Sequence, residues 1–142
     1  MLSEARRRIR SDDVLSSPTA PTTNLDLVRC DVGNIPMGDG SVDALNAGAA
    51  MHCWPDLESA MSEIYRVLRP DGGRYFATTF LSAYFGNLQA AEGGGAGPSK
   101  QAFQYFDSVD TLRDMMLRAG FEGGKVDIEI LGRACVVIRC EK

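Results

Sequence analysis

The sequence is poor in the residue types that most often announce chemistry. It has a single histidine, His52, and a single tryptophan, Trp54, and aromatic residues make up 8% of its 142 positions. Its four cysteines (Cys30, Cys53, Cys135 and Cys140) form no C-x-x-C pair and no metal-like spacing with His52, so a structural zinc site has no pattern to rest on. Cys135 and Cys140 stand an odd number of positions apart, and on one strand they face opposite sides of a sheet. The expectation is four reduced, mostly buried thiols in a reducing compartment. No apolar run approaches the roughly 20 residues that cross a bilayer. An excess of positive charge is also lacking: 15 Lys and Arg against 19 Asp and Glu give a formal net charge of −4. That balance argues against a surface built to neutralise nucleic-acid phosphates. No nucleophile–base constellation stands out either.

What is present is the composition of an ordinary globular domain, with a length that suits one core rather than two. Residues 1–10 contain four arginines and resemble a targeting peptide at first sight. Glu4, Asp12 and Asp13 run against that reading, and Leu2, Ala5 and Ile9 share one helical face, so a short amphipathic helix is expected there. Ser16 to Asn24 has the Ser, Pro and Thr content of a loop.

Leu25 to Asp31 alternates and reads as a short strand ending at an acid. Gly33 to Ser41 is turn-rich. Val42 to Ala50 is a run of small and apolar residues, the pattern of a strand buried on both faces and its following loop. The clearest helix follows, with Asp56 as N-cap, Leu57, Ala60, Met61, Ile64 and Leu68 as its core stripe, and Pro70-Asp71-Gly72-Gly73 as its stop. Arg74 to Phe80 is β-rich. The order strand, helix, glycine turn, strand predicts a βαβ unit with a parallel pair.

Gly93 to Gly97 reads either as the hinge of a substrate lid or as an idle linker. A second amphipathic helix is expected from Ser108 to Ala119, with Val109, Leu112, Met116 and Ala119 on its face and Gly120 as its stop. Lys125 to Leu131 and Arg133 to Cys140 are separated only around Gly132. So short a link cannot cross over, and the pair must be an antiparallel hairpin. A closing hairpin is less typical of nicotinamide-binding domains, whose sheets are mostly parallel.

Several segments now resemble one family, the class I S-adenosylmethionine-dependent methyltransferases, and within it the ubiquinone/menaquinone group. Val28-Arg29-Cys30-Asp31 with Ile35-Pro36-Met37 resembles the family's acid followed by "L-P-F". Ser41-Val42-Asp43-Ala44-Leu45 resembles the start of its fourth strand. Glu63-Ile64-Tyr65-Arg66-Val67-Leu68-Arg69-Pro70 with Gly72-Gly73 resembles "E-x-x-R-V-L-K-P-G-G", with a turn one residue longer. Ala119-Gly120-Phe121 resembles its "A-G-F". His52-Cys53-Trp54-Pro55 is similar to uncharacterised plant and algal members, some of them plastid proteins.

The resemblance implies an α/β, Rossmann-like fold with sheet order 3-2-1-4-5-7-6, here incomplete: strands 3 to 7 present, strands 1 and 2 without counterpart, and a C-terminal antiparallel hairpin. The whole chain, residues 1–142, is then a partial methyltransferase domain. Its parts are a leading helix (1–15), a cofactor-side βαβ unit (25–80), a flexible lid or linker (81–106), and a helix with the closing hairpin (107–142). The implied cofactor is S-adenosylmethionine and the implied partner a small, lipophilic methyl acceptor. The location implied is plastid by the narrower likeness, and cytoplasmic otherwise.

By the same resemblance Asp31 receives the adenine amino group and the Val32 backbone reaches the ring. Asn46, Ala47 and Gly48 meet the methionine part. Each has a plainer reading beside it: Asp31 as a loop-start cap, and the small residues as tight packing. His52 is the acid/base candidate, since its ordinary pKa near 6.5 suits removal of a proton from an acceptor; the alternative is a structural loop histidine. Trp54 walls a pocket or anchors the helix start. Glu63 and Arg66 read as an i,i+3 surface pair worth a few tenths of a kcal/mol. The glycine-rich cofactor loop D-x-G-x-G-x-G has no counterpart. The competing expectation is therefore a catalytically inactive remnant, with weak or no cofactor binding by this chain alone.

Overall fold

The computed structural model describes residues 2–13, 25–82, 106–132 and 135–142. It forms two compact units, Met1–Asp31 and Val32–Lys142. The first contains helix α1 (Leu2–Ser11), whose Glu4 carboxylate accepts hydrogen bonds from Arg7 and Arg8 one turn on. Leu25 to Cys30 forms no strand, and Leu25 and Val28 are 48% and 57% exposed. The expected strand at Leu25–Asp31 is thus not formed. Alternation describes a segment that suits a ladder, but the ladder itself needs a neighbour, and the sheet of the second unit does not include this segment.

Among the described residues that sheet has four strands: β1 (Ala44–Ala47), β2 (Arg74–Phe80), β3 (Val126–Leu131) and β4 (Cys135–Glu141), in the order β1-β2-β4-β3. β1 and β2 are parallel, with Ala44 opposite Arg74 and Ala47 opposite Ala77. β4 pairs antiparallel with both β2 and β3. The α/β class, the βαβ unit and the closing hairpin stand as expected; four strands of the expected five are present.

β1 differs in burial. Only Ala47 of its residues is buried, because among the described residues β1 has a strand neighbour on one side alone.

Between β1 and β2 runs α2 (Leu57–Val67). Asp56 caps it as expected, accepting the Ser59 N–H at 3.0 Å, and that bond holds its carboxyl below the usual range. Leu57, Ala60, Met61, Ile64 and Leu68 are all buried. The helix stops at the Pro70–Gly73 turn, where a Cβ on Gly73 would lie 2.5 Å from the Arg69 carbonyl oxygen. Glycine is required there by contact with the helix end.

Helix α3 (Val109–Ala119) is capped by Ser108 and ended by Gly120 at φ 116°. Its buried stripe is Leu112, Met115 and Met116. Val109 and Ala119 are only partly covered, so the buried face lies slightly round from the one expected.

The core joins the helices to one face of the sheet. Tyr75, Ala77 and Ile138 lie under Met61, Ile64, Leu112 and Met116 in one cluster. Phe121 stacks on Tyr75 and meets Tyr65 edge to face, with ring centroids 6.3 and 5.1 Å apart. Cys140 is buried in this layer, which pushes its thiol up to about 12. Cys30 and Cys53 are exposed and Cys135 half-buried, so only one of the four thiols has the buried setting expected. The lid or linker expected at 81–106 lies, but for its ends, outside the described residues. Among the described residues no helix is long and apolar enough to cross a membrane.

Candidate functional site

In a parallel pair both carboxyl ends lie at the same edge of the sheet, and open α/β sheets bind ligands there. Here that edge is made by the residues leaving β1 and the last residues of β2. Asn46 is exposed, Ala47 buried and Gly48 exposed. A Cβ on Gly48 would meet nothing within 4 Å, so tight packing is not what keeps this position small.

Ala49 then turns the chain at φ 48°, the single positive φ at a non-glycine residue among the described residues. Its N–H donates to Thr78 Oγ1 of β2 at 2.8 Å. A left-handed alanine is strained, and its neighbours must hold it there.

The turn leads into a short 3-10 helix, Met51–Cys53, with Met51 fully buried as its anchor. That anchor leaves His52 half-buried at the same edge, its ring 5.6 Å from Phe80 and inclined at 61°. Burial lowers the His52 pKa, which favours neutral imidazole, the form able to accept a proton. Trp54 packs partly buried against the core.

Asn46, Ala47, Gly48 and His52 are thus brought to one edge. Val32 is partly buried against the core of the same unit. Asp31 is exposed and closes the first unit.

Sequence reasoning missed Ala49, Thr78 and Phe80. Thr78 and Phe80 read as ordinary strand residues, and alanine gives no sign of a left-handed turn.

It also undervalued Glu63 and Arg66. Their ion pair (2.7 Å) has side chains only 19% and 32% exposed. Arg66 donates to the carbonyls of Ile35 and Met37 and to Asp39 Oδ1, while Glu63 Oε2 accepts the Ile35 N–H. This is a tether between segments, in place of the solvated pair expected.

The chain belongs to the methyltransferase domain family, whose model matches residues 1–76. An uncharacterized chloroplastic methyltransferase of Arabidopsis thaliana is 46% identical over 81 residues, covering 57% of this chain and 22% of that protein. A demethylmenaquinone methyltransferase of Staphylococcus epidermidis is 29% identical over 126 residues, covering 77% of this chain and 52% of that one. The chain therefore spans about a fifth to a half of the length of these relatives. Among solved structures, the 1,6-didemethyltoxoflavin-N1-methyltransferase of Burkholderia thailandensis, with bound S-adenosylhomocysteine, has the same fold. Its TM-score is 0.60 at 22% identity, covering 81% of this chain and 49% of that one.

The cofactor that the family implies is S-adenosylmethionine. The β1 edge fits its amino-acid end in kind: an exposed amide at Asn46, open space above Gly48, and backbone groups presented by a held turn.

Proposed function

We propose that this chain supplies the methionine side and the acceptor side of a methyl-transfer site, as part of a fuller domain acting on a small, lipophilic acceptor. The observation that carries the reading is the convergence of Asn46, Gly48, the held Ala49 turn and His52 at one edge of the sheet. The family's cofactor supplies an activated methyl group on a positively charged sulfur. What remains for the protein is to hold donor and acceptor in line and to keep water out.

In this reading Asn46, Ala47 and Gly48 bind the amino-acid end of the cofactor. The Val32 backbone meets the adenine ring. His52 takes the proton from the acceptor atom at its ring nitrogen. The Phe80 ring beside it makes that side of the site apolar, which suits an acceptor carried on an oily body.

The lipophilic acceptor is supported by the demethylmenaquinone in the name of the Staphylococcus relative. The chloroplastic relative supports a plastid location.

The test is transfer of a labelled methyl group from S-adenosylmethionine to a panel of acceptors by the chain. Labelling of a short-chain hydroquinone above a water-soluble catechol of equal acidity is expected. Equal labelling contradicts the acceptor class. No labelling of any acceptor, with no cofactor bound, favours the inactive remnant.

A further inference from the structure

Ile35 is gripped at both of its backbone polar groups by one ion pair on α2. The Glu63 carboxylate takes the Arg66 guanidinium side-on, Nε to Oε1 at 2.7 Å and Nη2 to Oε2 at 2.8 Å. The same Oε2 accepts the Ile35 N–H at 2.9 Å, and the same Nη2 donates to the Ile35 carbonyl at 3.0 Å. Nη1 reaches on to the Met37 carbonyl at 2.9 Å and to Asp39 Oδ1 at 2.6 Å.

The helix does not need this pair to stay in place, since Leu57, Ala60, Met61, Ile64 and Val67 already bury its other face. The segment it holds has little burial of its own: Pro36, Met37, Gly38 and Asp39 are exposed and Ile35 only half-covered. The far end of that segment is tied separately, Gly40 N–H to the Arg66 carbonyl and Val42 N–H to the Val67 carbonyl. The near end, beside Val32, is held through Ile35.

We infer that Glu63 and Arg66 are a positioning pair, which fixes the backbone from Val32 to Asp39 so that Val32 meets the adenine edge of the cofactor. The inference rests on the cofactor reading above. Arg66 acts through Ile35 and touches no reacting atom. Its planar fork serves four partners at once, a task that a lysine point charge cannot copy.

The experiment uses the 15N-labelled full chain, as wild type, Arg66→Lys, Glu63→Gln and Asp39→Ala. Amide exchange of Ile35 and Tyr75, thermal melting, and titration with S-adenosylhomocysteine are read for each. In R66K and E63Q, loss of charge-assisted bonds is expected to speed Ile35 exchange and weaken S-adenosylhomocysteine, each by about tenfold or more, with Tyr75 exchange unchanged. D39A removes an exposed partner only, and its affinity is expected to stay within about threefold of wild type.

Wild-type Ile35 exchange in both R66K and E63Q overturns the inference. So does faster exchange with wild-type affinity, which marks the pair as structural alone. Should one of the two variants not fold, the other decides. Should the wild type show no response at Val32, the cofactor reading falls and takes this inference with it. That outcome is distinct from a wild type that binds and variants that bind equally well.

Discussion

Thr78 accepts the backbone N–H of Ala49 through its hydroxyl oxygen at 2.8 Å, joining the end of β2 to the left-handed turn that leaves β1. A strand residue thereby sets the shape of the candidate site. Replacing Thr78 with valine keeps the β-branched shape and removes the acceptor, and is expected to destabilise by about 1 kcal/mol. Serine in its place should restore most of the loss.

Ala49→Gly tests the same turn from the other side. Relief of a left-handed alanine is worth about 1–2 kcal/mol, and the added freedom of glycine in the unfolded chain takes back about 0.5–1. The net expectation is a variant as stable as wild type or up to about 1.5 kcal/mol better, read from urea midpoints. A loss of more than 1 kcal/mol would show that the turn is not strained.

Glu63 ties acid stability to the tether. Its bonds to Arg66, and then to the Ile35 N–H, lower its pKa from 4.5 to about 2. A carboxyl depressed on folding contributes stability that is complete above its unfolded pKa and is lost as pH falls through the folded one. The window is therefore pH 4.5 down to about 2. Urea midpoints of the wild type should fall steeply across that window, and those of Glu63→Gln less so. Parallel curves would contradict the tether.

His52 sets the expected pH dependence of methyl transfer. Burial lowers its pKa below 6.5, so the neutral base form predominates at pH 7 and is lost as pH falls through the lowered value. Transfer should be greatest at pH 7 to 8 and fall on the acid side as pH drops through the lowered value. His52→Asn should lose about 100-fold or more in rate, together with the acid limb. A variant retaining both would place His52 among the structural residues.

Lys142 closes the far end of α2. Its ammonium donates to the Tyr65 carbonyl at 2.6 Å and the Leu68 carbonyl at 3.0 Å, and lies 4.2 Å from the Tyr65 ring centroid. It supplies a cation where the helix dipole is negative and donors where carbonyls lack partners. Lys142→Met keeps the stem, and is expected to lower stability by about 1–2 kcal/mol in urea denaturation.

What the sequence disclosed, and what it withheld, follows from the range of each signal. The α2 stripe and its Asp56 cap were legible because both are written within a few neighbouring residues. The hairpin at Gly132 was legible because so short a link leaves one geometry open. The positions proposed for the site were singled out beforehand, Asn46 to Gly48 through the family likeness and His52 as the single imidazole of the sequence. The geometry of the site was not legible, because the Thr78–Ala49 bond spans 29 residues and Arg66 reaches Ile35 across 31. The misread strand at Leu25 has the same cause. Alternation is local, whereas a strand exists only with a neighbour.

In the proposed reading, the edge formed by Asn46 to Ala49, with Val32, receives S-adenosylmethionine. The most direct measurement is a 15N–1H spectrum of the full chain titrated with S-adenosylhomocysteine into the millimolar range. The expected result is a saturable shift of the Val32, Asn46, Ala47, Gly48 and Ala49 amides, with those of β3 unmoved. Saturating concentrations that leave those amides unmoved, or shift β3 instead, would contradict it.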